Sequence, residues 1–181
     1  DDSYGFDSAQ PNRGHRAVEK LVRDGKVSAV ITQNTDGLHA ASGIPEEKII
    51  ELHGNSTYAS CLDCAKRFDL EPIRKAFLGN GTLPVCDDCG GLVKGATISF
   101  GQTMPEDQMV RAHRETVACD LFIAAGSSLV VFPAAGFPQI ATQNGACLVI
   151  VNREPTQLDS YAELVLNTEI GPTLGEVVGV N

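Results

Sequence analysis

The sequence predicts an α/β fold on a mostly parallel sheet, interrupted by a small cysteine-bearing insertion. Three observations carry this. Short, β-rich apolar runs alternate with amphipathic stretches at helical spacing, the rhythm of parallel strands joined by crossover helices. Polar or glycine-bearing segments follow several of those runs, where open α/β sheets collect ligands. Residues 56–94 break the rhythm and hold two tight cysteine pairs.

In chain order, 11–26 reads as a helix, with Ala17, Val18, Leu21 and Val22 on one face and Gly25 as its stop. Val27 to Thr32 is a short apolar strand of the kind covered on both faces. After the insertion, which contains an amphipathic stretch at 70–78, the rhythm returns. A strand is expected at 96–100 and a helix at 105–118, with Glu106 and Asp107 in its first turn. A strand at 121–125, a helix within 133–144, a strand at 147–151, a short strand at 163–166 and a final helical turn or two at 172–178 complete the series. The expected division is therefore 1–55 with 95–181 as one domain, and 56–94 as a module too small to build its own core without a staple.

The 181 residues carry 14 Lys+Arg against 23 Asp+Glu, a formal charge of −9. That balance argues against nucleic-acid binding, which needs clustered cations. The longest strongly apolar run, 121–125, is far too short to span a bilayer, and residues 1–10 show neither a basic nor an apolar leader region. No membrane partner is expected. Six cysteines in a chain with a sizeable core fit a reducing, cytoplasmic compartment better than a secreted disulfide framework. Cys119 and Cys147 stand alone beside apolar runs and read as small core residues.

The remaining four cysteines follow the pattern Cys61-x2-Cys64, twenty-one residues, Cys86-x2-Cys89. Each pair places two thiolates on one turn, and the two turns together supply the four corners that Zn²⁺ accepts. Four protein ligands leave no position for water, so the metal would be structural. Gly90 and Gly91 let the backbone approach the sulfurs. The gap is one residue longer than usual for such sites. A redox CxxC needs only one pair, at a helix start after a strand; two unrelated thiol pairs are the other reading.

Chemistry-bearing residues gather after the strand-like runs. Gln33, Asn34 and Asp36 follow the first, with groups suited to a carboxamide or to ribose hydroxyls; a capped polar turn has the same composition. His53, between Leu52 and Gly54, has the chemistry of a general base near neutral pH, although a lone histidine is also a common structural residue. Gly126, Ser127 and Ser128 follow the run at 121–125 and offer N–H and hydroxyl groups to phosphate. Asn152, Arg153 and Glu154 follow the run at 147–151, placing a carboxylate near ribose hydroxyls. Plain loops would also account for the last two. Four such points at the ends of parallel strands would converge on one edge of the sheet.

Taken in order, Thr32-Gln-Asn-Thr-Asp-Gly-Leu-His39, Leu52-His-Gly54, the paired cysteines, Ser99-Phe-Gly101, Gly126-Ser-Ser-Leu-Val-Val-Phe-Pro133 and Val151-Asn-Arg-Glu154 resemble the sirtuins, NAD-dependent protein-lysine deacylases, over about residues 11–178. The resemblance implies a Rossmann-like domain with a zinc-ribbon module and a reaction in the cleft between them. It implies NAD and Zn²⁺ as cofactors, and an acylated-lysine protein or peptide as substrate, its acyl group passing to ADP-ribose as nicotinamide leaves. By resemblance His53 is the general base toward the nicotinamide ribose. Gln33, Asn34 and Asp36 hold the nicotinamide and its ribose, Gly126, Ser127 and Ser128 the phosphates and nearby ribose, and Asn152, Arg153 and Glu154 the adenosine end. Ile98, Phe100, Gly101 and Val131 match the acyl-lysine tunnel, and Cys61, Cys64, Cys86 and Cys89 the zinc ligands.

Two departures stand out. The glycine-rich strand and loop with which sirtuins begin has no counterpart, so the chain is expected to be a fragment with weakened NAD affinity. Gln102 stands where many sirtuins carry glutamate. A non-catalytic zinc-containing module on the same scaffold, and a mono-ADP-ribosyltransferase, remain as alternatives at the level of sequence.

Overall fold

The computed structural model describes residues 9–99 and 101–181. Helix α1 (Arg13–Arg23) starts where the Asn12 side chain accepts the His15 N–H, satisfying one of the unpaired donors of the first turn. Its other end closes with Lys26 and Val27 N–H groups on the Leu21 carbonyl. That closure uses the Val27 donor, and strand β1 is shortened to Val30–Thr32. It pairs in parallel with β2 (Ile49–Glu51), Val30 opposite Ile49 and Thr32 opposite Glu51, through a short helix α2 (Leu38–Ala41) and a 3-10 turn at Glu46–Lys48.

The chain then leaves the parallel layer. Strand β3 (Gly54–Cys61) is the middle of a three-stranded antiparallel sheet, with β4 (Arg67–Asp69) on one side and β5 (Val93–Thr97) on the other. The strand expected at 96–100 as part of the parallel rhythm is thus replaced by β5, which starts earlier and runs antiparallel to β3. The ladder carries it there, from Val93 opposite Cys61 to Thr97 opposite Gly54. Helix α3 (Leu70–Asn80) follows β4 and sets Leu70 and Ile73 against Ala59, Cys61, Cys86 and Val93.

Helix α4 (Glu106–Ala118) returns the chain to a second parallel sheet, β6 (Leu121–Ala125), β7 (Cys147–Val151) and β8 (Leu164–Leu166) in that order. Helix α5 (Phe137–Gln143) crosses between β6 and β7 after a 3-10 turn at Ala134–Gly136, and α6 (Ile170–Val178) follows β8. Helix α6 packs on α1, where Arg13 Nε donates to the Val180 carbonyl at 2.7 Å. Among the described residues no helix is long and apolar enough to cross a membrane.

One apolar core joins Ile50 and Leu52 to Ala112 of α4 and to Ala134 and Phe137. A second centres on Leu148 and Ile150. Phe122 touches both, so the two parallel sheets share an interior. Their facing edges, β1 and β6, do not hydrogen-bond to each other; a cleft of 1510 Å³ separates them. Leu121 and Ile123 of β6 are exposed and line this cleft. Cys147, expected in the core, is exposed at the start of β7, and Cys119 is half-buried.

Candidate active site and metal centre

The cleft runs along β1 and β6 and continues past the carboxyl ends of β1, β6 and β7. Gln33 and Asn34 enter it from β1, Gly126, Ser127 and Ser128 from β6, and Asn152 and Arg153 from beyond β7. Each loop is held by its own backbone and side chains. Asn34 N–H donates to Thr32 Oγ1 at 3.0 Å. The Thr35 carbonyl receives both the N–H and the hydroxyl of Ser56, each at 2.7 Å, which ties the loop after β1 to strand β3. Leu129 N–H donates to Ser127 Oγ. Asn152 Nδ2 donates to the Glu154 carbonyl at 2.7 Å, while Arg153 and Glu154 are exposed. Amides, hydroxyls and glycine N–H groups around one cleft form a donor and acceptor set that fits a dinucleotide.

Asp36 sits differently. Its Oδ1 accepts the Leu38 N–H and so opens α2, and its charge faces a histidine pair. The rings of His15 and His39 lie 5.0 Å apart. Burial pushes both imidazoles below their usual range; His15 lowers His39 further, and Asp36 opposes both shifts. His39 Nδ1 is buried without a hydrogen-bond partner. His39 lies inside the motif read from sequence, but nothing in that motif signals its contact with His15, twenty-four residues upstream.

His53 stands where the parallel layer meets the antiparallel sheet. Its Nδ1 lies 3.1 Å from the Gln33 carbonyl oxygen. A carbonyl only accepts, so Nδ1 is the donor in this contact and Nε2 is the ring nitrogen left free of it. From the other side, Ile98 N–H donates to the His53 carbonyl at 2.9 Å. Of the four positions matched to the acyl-lysine tunnel, Ile98 is therefore joined directly to His53. Gly101 occupies an exposed turn with φ +83°, Val131 is 40% exposed, and Phe100 lies outside the described residues.

Beneath this site lies a network that the sequence did not signal. Asn55, 5% exposed, donates to Glu51 Oε1 at 2.6 Å and accepts the N–H and hydroxyl of Thr57. Burial raises the Glu51 carboxyl above the usual range, while its bond from Asn55 opposes that shift.

The four sulfurs of Cys61, Cys64, Cys86 and Cys89 all lie within 4.8 Å of one another, with Cys61 to Cys89 at 3.4 Å and Cys64 to Cys86 at 3.7 Å. Four thiolates about 2.3 Å from one tetrahedral ion stand ~3.8 Å apart, so the set fits Zn²⁺. The N–H of Cys64 and, against the effect of burial, that of Asp63 hold the Cys61 thiol down at about 7. Gly91 lets its chain pass close by, since a Cβ there would stand 2.8 Å from Cys61 Sγ. Lys66 binds Asp87 at 2.7 Å and Asp88 at 2.8 Å, linking the two cysteine turns.

The fold combines parallel sheets, with a cleft between β1 and β6, and an antiparallel sheet beside four clustered cysteines. The Sir2 family model matches residues 2–133. The chain is 55% identical over 174 residues to an NAD-dependent protein deacetylase of Rhodopseudomonas palustris, covering 96% of this chain and 69% of that protein. It is 57% identical over 174 residues to NAD-dependent protein deacetylase 1 of Bradyrhizobium diazoefficiens, covering 96% and 68%. Among solved structures, Sir2Tm bound to a propionylated peptide superposes with a TM-score of 0.86 at 36% identity, over 99% of this chain and 76% of that one. A Sir2 with p53 peptide and NAD+ superposes at 0.85 with 38% identity, over 97% and 72%. The chain belongs to the Sir2 family, the sirtuins.

Proposed function

We propose that this protein is an NAD-dependent protein-lysine deacylase that removes the acyl group from lysine side chains of a protein or peptide. The observation that carries the reading is the placement of His53: its Nδ1 lies 3.1 Å from the carbonyl oxygen of Gln33, and Gln33 lines the cleft together with Asn34, Gly126, Ser127 and Ser128. NAD, when bound, supplies an electrophilic ribose carbon and nicotinamide as leaving group. Gln33 and Asn34 hold the nicotinamide end, with Asp36 fixing the loop that carries them. Gly126, Ser127 and Ser128 hold the phosphates and nearby ribose, and Asn152, Arg153 and Glu154 the adenosine end. His53 would act as the proton acceptor toward a hydroxyl of the bound nicotinamide ribose. Ile98, Phe100, Gly101 and Val131 wall the acyl-lysine site; an apolar wall accepts a neutral acyl amide and rejects a free ammonium.

Cys61, Cys64, Cys86 and Cys89 hold Zn²⁺ as a structural ion within a module of residues 56–94, inserted between 1–55 and 95–181. Thiolates that must stay reduced fit a cytoplasmic setting.

The test is incubation with NAD and an acetyl-lysine peptide, following free nicotinamide and O-acetyl-ADP-ribose by mass spectrometry. The expected result is formation of both, with a loss of about 10²–10⁴-fold in His53→Ala. Absence of nicotinamide release, or full activity in His53→Ala, overturns the reading.

A further inference from the structure

The segment after β5 is held by a contact that the reaction as described does not use. The Gln102 N–H donates to the Ser99 carbonyl at 3.0 Å, and Gly101 between them takes φ +83°. The Gln102 side chain joins the same two residues again, its Oε1 accepting the Ser99 N–H at 3.3 Å. Lys94, on β5, reaches the same oxygen. Its Nζ donates to Gln102 Oε1 at 3.1 Å and to the Thr97 carbonyl at 2.8 Å. Both partners of the Gln102 atom are donors, which fixes it as the oxygen. No described carboxylate pairs with Lys94 Nζ, so the half-buried ammonium depends on these two oxygens.

We propose that Lys94 and Gln102 are positioning residues for the acylated substrate, a clamp that fixes Thr97, Ser99 and Gln102 beside the acyl-lysine site; this rests on the deacylase reading. The segment is pinned at two points. Ile98 N–H is held by the His53 carbonyl, which sets its distance from the general base. Lys94 joins Thr97 to Gln102. Ser99, Gly101 and Gln102 are exposed, so they add little to the apolar core, and the clamp acts on ligand binding more than on folding. A hydrogen bond from a charged donor is about twice as strong as a neutral one. Gln102 is the acceptor that receives it.

The experiment measures binding of a fluorescein-labelled acetyl-lysine peptide by anisotropy, together with KM for peptide and for NAD, on the full chain. Lys94→Met and Gln102→Leu are expected to weaken peptide binding and raise peptide KM about tenfold, the loss of one or two charge-assisted bonds. KM for NAD should stay within about twofold and the melting temperature within a few degrees. Lys94→Arg and Gln102→Glu, which keep a donor and an acceptor in place, should recover most of the binding. Equal peptide affinity in all four variants overturns the clamp and leaves the deacylase reading standing, as does a parallel rise in both KM values. A wild-type chain that binds peptide but turns over no NAD, with the same loss in Lys94→Met, removes the reading and keeps the clamp. A wild-type chain that binds no peptide overturns both.

Discussion

Replacing Gly54 by alanine tests whether the junction between the two sheets is as tight as the structure makes it. Gly54 has φ +71°, and a Cβ there falls on the Ala96 carbonyl oxygen, 3.0 Å from the Ala96 carbonyl carbon and 3.2 Å from Thr97 Cα. All three atoms belong to backbone, so no side chain can swing away; β5 itself must move. The left-handed conformation costs an alanine about 1–2 kcal/mol. Forcing a strand aside costs about 1–3 kcal/mol, and the Ile98–His53 hydrogen bond that β5 would carry off contributes about 1 kcal/mol. Together these make about 3–6 kcal/mol, or about 6–24 °C in melting temperature for a chain of this size. Urea unfolding followed by circular dichroism reads the difference, since the chain has no tryptophan to report by fluorescence. Gly95→Ala is the control: it lies on the same β5, pairs with Ala59, and its Cβ would meet nothing within 4 Å. It should stay within about 0.5 kcal/mol of wild type. A Gly54→Ala protein as stable as Gly95→Ala would refute the argument, because the two differ only in backbone angle and in what the methyl group strikes.

Two further outcomes follow from the same geometry. Gly91→Ala, whose Cβ would stand 2.8 Å from Cys61 Sγ and 2.9 Å from Asp63 Cγ, is expected to lower zinc affinity about 10–100-fold in a competition with a chromogenic chelator; unchanged affinity would mean that the thiolate cluster tolerates a wider backbone. The His15–His39 pair predicts a pH dependence. Both imidazoles are depressed below their usual 6.5, so the unfolded chain binds more protons than the folded one near that pH. Stability is then complete above pH 6.5 and falls as the pH drops from there through the depressed values. His39→Gln should flatten the decline in urea midpoint between pH 7 and 5, and a decline as steep as that of wild type would rule His39 out as its source.

How far the sequence reaches into this structure depends on which force places each part. Strand β7 coincides with its apolar run because burial defines it, and β6 with its own because it pairs with β7 along its whole length. The two cysteine pairs are legible because metal chemistry dictates their spacing. Strand β3 is different: Gly-Asn-Ser-Thr-Tyr-Ala-Ser-Cys shows no clean apolar alternation, and it is a strand because β4 and β5 flank it. Such pairing is a property of the partners, which local pattern does not report. Lys94 and Asn55 went unread for the same reason, since their roles arise from atoms brought close by folding. The shortening of β1 has another origin, a helix end that takes the Val27 donor before the strand can use it.

The position of His53 explains why a metal-bound module belongs in this site at all. The ring is oriented from the parallel layer, by the Gln33 carbonyl. The backbone of the same residue is held from the antiparallel sheet, by Ile98. Strand β3 begins at the next residue, Gly54, and ends at Cys61, the first thiolate; β5, which carries Ile98 at its end, begins opposite that cysteine at Val93. The antiparallel ladder is thus a short lever with the four sulfurs at one end and the histidine at the other. Ser56 on the same strand fixes the Thr35 carbonyl within the loop that presents Asn34. A module whose apolar core consists of little more than Ala59, Val93 and two of the cysteines lacks the burial to hold that lever straight by itself. Four metal–thiolate bonds would supply that rigidity at the end of the ladder away from His53, where a closed coordination sphere has no chemistry to offer except shape.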